Sequence, residues 1–441
     1  MNNIDYKKYF YGKRVTQLGL GLLGRGLGDA IFLAECGAEL IVTDLKTEED
    51  LKTSVEKLKN FPNVTLHLGG HKLEDFRDRD FILKGAGVPL DSIYIEEARK
   101  NNIPIEMDAS LFCKLLPKET LIVGVTGTRG KSTTTHLINH ILKTAGKKTI
   151  LGGNVRDMAT LPYIKDVAGG EVVVLELDSW QLQGFGESKI SPHVAVFTTF
   201  MPDHLNYYRG DLERYFDDKA NIFKYQNESD VLVVGGDVSQ KSEFKGQNCH
   251  SKIKIASIDI IPKTWQSHLL GEHNKINIAC AIEACRALGI PDEDIRKGVE
   301  KFEGVEGRLQ FVREVRGIKI YNDNNATTPE ATIAALKSFE EKIVLFCGGA
   351  DKQIPLELLA QEINQKCKKV ILLRGSGSEK LKPLLGDFVE VVSLQEGVSQ
   401  GLLYCNHGDI LIFSPAFASF GLFKNEYERN DEFMRIVSGL K

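Results

Sequence analysis

The chain carries no large surplus of either charge. Its 56 Lys plus Arg stand against 60 Asp plus Glu, a formal net charge of −4 over 441 residues. That balance excludes recognition of nucleic acid through bulk basic charge. No apolar run approaches the roughly 18 residues needed to cross a bilayer, so no membrane span is expected. The N-terminus, Met1-Asn-Asn-Ile-Asp-Tyr-Lys-Lys, has no apolar stretch or cleavage site of the kind a secretory leader carries. The eight cysteines are scattered and form no CxxC, which excludes a zinc ribbon and a disulfide framework. They read as reduced thiols, mostly core fillers, in a cytoplasmic protein. No fixed-period repeat and no low-complexity segment is present.

What is present is an alternation. Short runs rich in Val, Ile and Leu, such as Leu40-Ile-Val-Thr-Asp44, Val172-Val-Val-Leu-Glu-Leu177 and Lys342-Ile-Val-Leu-Phe-Cys347, are each followed by a helix-period stretch. Apolar strands alternating with amphipathic helices predict parallel sheets covered on both faces. The expected fold class is α/β in three domains, residues 1–117, 118–303 and 304–441.

Gly19-Leu-Gly21-Leu22-Leu-Gly24 follows the first strand and opens a helix, and Asp44 ends the second strand. Glycines there permit a tight turn, and free N–H groups at the helix start receive a phosphate. The spacing points to a nucleotide or sugar-nucleotide diphosphate. A ligand-free β–α turn and a nicotinamide oxidoreductase are the competing readings.

The sharpest feature is Leu121-Ile-Val-Gly-Val-Thr-Gly127-Thr128-Arg129-Gly130-Lys131-Ser132-Thr133. A buried strand feeds a glycine loop, and Lys-Ser-Thr then opens a helix. In such a loop backbone N–H groups surround phosphate oxygens, the lysine reaches the β and γ phosphates, and a hydroxyl reaches Mg²⁺. An NTP site is expected at Gly127, Thr128, Gly130, Lys131, Ser132 and Thr133. Glu176 and His204 each follow an apolar strand, and strand ends at the carboxyl edge of a parallel sheet converge on the ligand crevice. Both are candidates to reach a metal ion beside the phosphates.

From the phosphate loop onward the chain resembles the Mur ligase family, the ATP-dependent amide-bond ligases of peptidoglycan synthesis. The resemblance rests on ordered motifs: Glu176-Leu-Asp-Ser179-Trp-Gln181, Asp203-His204-Leu, Tyr215-Phe-Asp-Asp-Lys219, His273-Asn274-Lys-Ile-Asn277, Gly307-Arg308 and Tyr321-Asn-Asp323. Leu151-Gly-Gly153-Asn154, Gly85-Ala-Gly87-Val-Pro89, Gly348-Gly-Ala-Asp351-Lys352 and Ser414-Pro-Ala-Phe-Ala-Ser419 extend it over essentially the whole chain.

The resemblance implies a Rossmann-like N-terminal domain binding a UDP-sugar, a central parallel-sheet domain of phosphate-loop ATPase type, and a Rossmann-like C-terminal domain binding an amino acid. It implies ATP as substrate, Mg²⁺ or Mn²⁺ as cofactor, and ligation of D-glutamate to UDP-N-acetylmuramoyl-L-alanine through an acyl phosphate. A different amino-acid acceptor within the family is the alternative. By resemblance alone, Lys219 is carbamylated by CO₂ into a metal ligand alongside Ser132, Glu176 and His204. Asn274 and Asn277 approach adenine, and Arg308 and Asp323 complete the ATP site. Gly19, Gly21, Leu22, Gly24, Asp44 and Asn154 serve the UDP-sugar, and Thr327, Lys352 and Ser419 serve D-glutamate. Catalysis falls to Lys131, Lys219 and His204. Small-molecule partners, a monomer and no nucleic acid are expected. The chain departs from the family pattern at Arg129, Asp178 and Trp180, and around the amino-acid pocket at Asn325, Gly421 and Asn430.

Overall fold

Strands apolar on both faces need cover on both faces, and in a computed structural model they receive it in three sheets. The structure describes residues 5–440 apart from Leu23, Asp157, Gly246 and Asn248. The leader reading at Met1-Asn-Asn-Ile4 and one position of the first glycine loop, Leu23, therefore lie outside the described residues.

The first sheet contains β1 (Arg14–Leu18), β2 (Glu39–Asp44), β3 (Val64–Leu68), β4 (Phe81–Lys84) and β5 (Ile105–Glu106), in the order β3-β2-β1-β4-β5. The second contains β6 (Leu121–Thr126), β7 (Thr149–Gly153), β8 (Val172–Glu176), β9 (Val194–Phe197), β10 (Val231–Gly235) and β11 (Lys252–Ala256), in the order β11-β10-β9-β6-β8-β7. Every pairing in both is parallel. The strand order reverses between β1 and β4 in the first sheet and at β6 in the second. Such switch points open a crevice at the carboxyl edge.

The third sheet contains β12 (Gln310–Val315), β13 (Ile318–Asn322), β14 (Ile343–Gly348), β15 (Cys367–Leu373), β16 (Phe388–Val391) and β17 (Ile410–Phe413), in the order β12-β13-β17-β14-β15-β16. It is mixed rather than parallel throughout, because β12 runs antiparallel to β13. The physical reason is a two-residue turn. Arg316 and Gly317 both take positive φ, 53° and 75°, which matches the twist of a tight hairpin and leaves no room for a crossover helix.

Contacts divide the chain into two units, Met1–Ile261 with Ile276–Gly298, and Pro262–Lys275 with Val299–Lys441. The first holds two of the sheets. One apolar cluster runs unbroken through it from Phe10, Phe32 and Val42 to Val173, Leu175 and Phe185. In the second unit, β14 alternates its side chains between two cores. Ile343, Leu345 and Cys347 face one, and Val344 and Phe346 the other. All eight cysteines are unpaired, and five of them are buried.

Candidate active site

β6 lies between β8 and β9, so the loop after it opens at the switch point. Gly127 takes φ +143° and Gly130 φ +84° as the N-cap of the helix Lys131–Thr144. Neither position has room for a side chain. A Cβ on Gly127 would stand 2.0 Å from Thr198 Oγ1, and one on Gly130 would stand 2.2 Å from Asn277 Oδ1. Asn277 thus packs directly on the loop that its family resemblance assigns to the same nucleotide.

The loop is tied down from β9 onward. Thr128 N–H donates to the Thr199 carbonyl at 2.8 Å, and Thr198 Oγ1 donates to the Arg129 carbonyl at 2.6 Å. Arg129 Nη1 meets Asp203 Oδ2 at 2.7 Å, which gives this departure from the family pattern a structural partner. Ser132 and the buried Thr133 open the helix.

Two lysines converge on one carbonyl. Lys131 Nζ and Lys219 Nζ each donate to the Gly127 oxygen at 3.0 Å. Lys219, on the helix Leu212–Ala220, is 1% exposed, so it is not the solvated surface lysine its composition suggests. Its amine lies 4.8 Å from the Tyr215 ring centroid, one turn back on the same helix. Burial, reinforced by the charge of Lys131, holds that amine well below the ordinary lysine range, against the opposing pull of Asp178 and Asp203.

Glu176 ends β8 and is 3% exposed. Asn154 binds it twice, its N–H donating to the Glu176 carbonyl at 2.7 Å and its side-chain amide reaching the carboxylate at 3.5 Å. His204 sits at φ +52° just ahead of the helix Leu205–Tyr208. Its ring packs on Trp180 at 4.8 Å, so this second departure braces the imidazole. Burial, with help from Lys219 and Lys131, lowers the His204 pKa against the pull of Asp203 and favours the neutral ring. The third departure, Asp178, caps the helix Ser179–Ser188 in a capping box with Gln181. Among the described residues no three His, Cys, Asp or Glu side chains gather into a metal-binding group.

At the first glycine loop, Gly19, Gly21 and Gly24 all take positive φ, and Gly24 caps the helix Arg25–Glu35. Leu22 is 63% exposed. Asp44 turns inward. Its Oδ2 accepts Leu20 N–H and Gly21 N–H at 2.8 and 2.9 Å, and its Oδ1 accepts Lys46 N–H at 2.9 Å. Those amides hold the carboxyl below its ordinary range although burial opposes them. Asp44 shapes the loop through these three bonds.

In the second unit Lys352 Nζ donates to Thr327 Oγ1 at 2.9 Å. Buried Ser419 follows Ala418, which pairs with Ala350 through two backbone bonds of 2.9 and 3.1 Å. The three residues expected at the amino-acid pocket therefore share one corner. Asp323 accepts Ser414 Oγ–H at 2.8 Å and Leu309 N–H at 2.9 Å, and burial pushes its carboxyl up to about 7. Arg308 is exposed, and Asn274 donates to the Leu270 carbonyl at 2.7 Å.

Two residues, Arg429 and Lys84, escaped sequence reasoning, and Asn430, read there only as a departure, gains a partner. Arg429 is 1% exposed and holds Asn324 through Nε at 2.8 Å and Nη2 at 2.9 Å, fixing the segment that carries Thr327. Asn430 bridges Asn322 and Glu306, so the departure from glycine has a polar use. Lys84 is buried at the end of β4. No local pattern separates such residues from surface polar ones. Tyr215 was legible within the motif that carries Lys219, since a spacing of four puts the two on one helix face.

A strand, a glycine loop and a lysine at a helix N-terminus, set at the switch point of a doubly wound sheet, define an α/β protein of the phosphate-loop class. The Mur ligase middle domain matches residues 125–261, and the glutamate ligase domain of Mur ligases matches residues 307–417. The chain is 36% identical to the UDP-N-acetylmuramoylalanine–D-glutamate ligase of Roseiflexus sp. (strain RS-1), over 97% of this chain and 98% of that protein. It is 33% identical to the enzyme of the same name from Acetivibrio thermocellus, over 99% and 98%. Its fold is similar to the crystal structure of UDP-N-acetylmuramate-alanine ligase from Thermotoga maritima, with a TM-score of 0.59 at 19% identity over 97% of this chain and 100% of that one. The chain belongs to the Mur ligase family. Among its described residues no helix is long and apolar enough to cross a membrane.

Proposed function

We propose that the chain is a cytoplasmic, monomeric, ATP-dependent ligase that joins D-glutamate to UDP-N-acetylmuramoyl-L-alanine, yielding ADP and phosphate in peptidoglycan precursor synthesis. The observation that carries the chemistry is the meeting of Lys131 and Lys219 on the Gly127 carbonyl. The choice of substrates rests on relatives of that name at 32–36% identity over nearly the whole chain.

A carboxylate is a poor acyl donor because its oxygen leaves poorly. In the proposed reaction it attacks the γ-phosphorus of ATP, the bond to the β–γ bridging oxygen breaks, and ADP departs. The D-glutamate amine then attacks the acyl carbon, and the C–O bond to phosphate breaks. Such transfers ask the protein mainly for position and charge. Lys131 neutralises the β and γ phosphates, which the N–H groups of Gly127, Gly130 and Thr133 cradle, while Thr128 holds the loop in place through its bond to Thr199. Asn274 and Asn277 receive adenine, and Arg308 and Asp323 receive phosphate and ribose. Asn154, held against Glu176, orients the muramoyl carboxylate. The cation of Lys352 and the hydroxyls of Thr327 and Ser419 receive the carboxylates of D-glutamate. Gly19, Gly21, Leu22 and Gly24, on the loop Asp44 shapes, hold the UDP-sugar.

The Ser132 hydroxyl, the Glu176 carboxylate and the neutral His204 ring would hold a divalent cation. An ammonium at Lys219 would not, because it repels such a cation. Reaction of the Lys219 amine with CO₂ forms an N–C bond and releases a proton, exchanging a positive charge for a carboxylate-like ligand. The depressed pKa favours this step, since only the neutral amine attacks CO₂. Bound there, Mg²⁺ or Mn²⁺ supplies positive charge to the phosphate oxygens.

The test is phosphate release with ATP, Mg²⁺ and UDP-N-acetylmuramoyl-L-alanine, with and without D-glutamate. Release that needs both substrates and vanishes in Lys131→Ala is expected. Stimulation by a different amino acid would favour the second reading, a different acceptor. That reading draws on Asn325, whose side chain donates to the Glu306 carbonyl at 3.5 Å, and on Asn430, which ties Glu306 to the helix Glu426–Ser438. Release with no amino-acid requirement would overturn both.

A further inference from the structure

Lys84 is a lysine where the first sheet offers no obvious use for one. It ends β4, is 2% exposed, and meets no carboxylate at ion-pair distance among the described residues. A buried ammonium without such a partner is costly. Its three protons go instead to the turn that follows it, reaching the carbonyls of Gly85 at 3.2 Å, Ala86 at 3.3 Å and Val88 at 2.8 Å.

That arrangement fixes more than the carbonyls. In a planar trans peptide the C=O and the next N–H point in opposite directions. Drawing the Gly85 and Ala86 carbonyls onto the ammonium therefore aims the Ala86 and Gly87 N–H groups away from it. Among the described residues neither N–H meets an acceptor, whereas Gly85 N–H donates to Leu18 and Val88 N–H donates to Gly85. The turn lies against the first glycine loop. A Cβ on Gly19 would stand 3.6 Å from Val88 Cγ2 and 3.9 Å from Gly85 Cα. β1 and β4 flank the switch point, so the two loops face each other across the crevice where this class of sheet takes its ligand. Successive free N–H groups above a buried cation make an anion seat.

We propose that Lys84 is the positioning residue of this crevice, turning the Ala86 and Gly87 N–H groups outward to receive the diphosphate of a uridine-diphosphate sugar. The inference rests on the UDP-sugar reading of the first domain. Lys84 acts through the turn, so its loss should fall on one substrate selectively.

The test uses the full chain. Wild type, Lys84→Met and Lys84→Arg are titrated calorimetrically with UDP-N-acetylmuramoyl-L-alanine and assayed for turnover. Lys84→Met is expected to raise both Kd and KM for the UDP-sugar by about tenfold or more, with KM for ATP rising less than about twofold. Lys84→Arg, which keeps the charge, should recover part of the loss. Equal KM values for the UDP-sugar in wild type and Lys84→Met would overturn the inference while leaving the substrate reading intact. A wild type that binds no UDP-sugar would overturn both. Hydrogen exchange on wild type keeps the question open to refutation if Lys84→Met does not fold. The UDP-sugar should protect the Ala86 and Gly87 amides, and binding without protection would overturn the role given to the turn.

Discussion

Lys219 is held in place at a thermodynamic cost, and Lys219→Met exposes that cost. The amine is buried, its pKa is driven well down, and the one hydrogen-bond acceptor it finds among the described residues is the Gly127 carbonyl. Every tenfold by which burial disfavours the ammonium costs about 1.4 kcal/mol of stability at pH values below the folded-state pKa. Methionine fills nearly the same volume without the charge. It forfeits the hydrogen bond to Gly127, about 1 kcal/mol, and removes an ionic penalty of several kcal/mol. The net gain of about 2–3 kcal/mol should therefore raise the melting temperature of the variant by about 4–12 °C near pH 7, at about 2–4 °C per kcal/mol. Its phosphate release should fall by at least about a hundredfold.

The pH dependence gives the sign. The pKa is lower in the folded state than the model value of 10.5. The penalty is therefore full below the folded-state pKa and fades as pH rises toward 10.5. The melting gap between variant and wild type should narrow accordingly between neutral and alkaline pH. The assay is thermal unfolding at several pH values in bicarbonate-free buffer, beside the phosphate-release measurement. A Lys219→Met protein that melts below wild type, or one that keeps its turnover, would refute the account of Lys219 as a functional strain.

Three further outcomes follow from the geometry. Gly130→Ala puts a Cβ 2.2 Å from Asn277 Oδ1 at φ +84°, so KM for ATP should rise steeply while D-glutamate binding at the second unit is spared; comparing the two KM values checks it. Lys352→Met removes the donor to Thr327 Oγ1, and the loss of a charged hydrogen bond, about 1.5–3 kcal/mol, should raise KM for D-glutamate by roughly ten- to a hundredfold. Asp323 has its carboxyl raised to about 7, so it contributes stability that is full below its unfolded-state pKa and lost as pH rises through about 7. Asp323→Asn can still accept Leu309 N–H and can donate to Ser414, so this variant should lose that part of the pH dependence, as thermal melts between pH 4 and 8 would report.

Much of the molecule is legible in the sequence because its determinants are local. A run such as Val172-Val-Val-Leu-Glu176 is apolar on both faces whatever lies beyond it, and it became a central parallel strand. The Gly127 to Thr133 string specifies a strand, turn and helix within a few residues, since positive φ at Gly127 and Gly130 is a property of glycine itself. The hairpin β12–β13 was missed because it depends on Arg316 accepting positive φ, which arginine rarely signals.

Lys219 marks the other limit. Its helix reads as amphipathic, and nothing within that helix states that the ammonium faces a buried loop 92 positions earlier in the chain. Lys84 is the same case. Burial, partner and pKa belong to long-range packing, and packing decides whether a lysine is a solvated charge, a desolvated amine or the anchor of a turn. The sequence by itself determined the strands, the glycine turns and the order of the motifs, because backbone preference and hydrophobic pattern act over a few residues. Only the tertiary structure decided which charges lost their water, because desolvation depends on everything that surrounds a group at once.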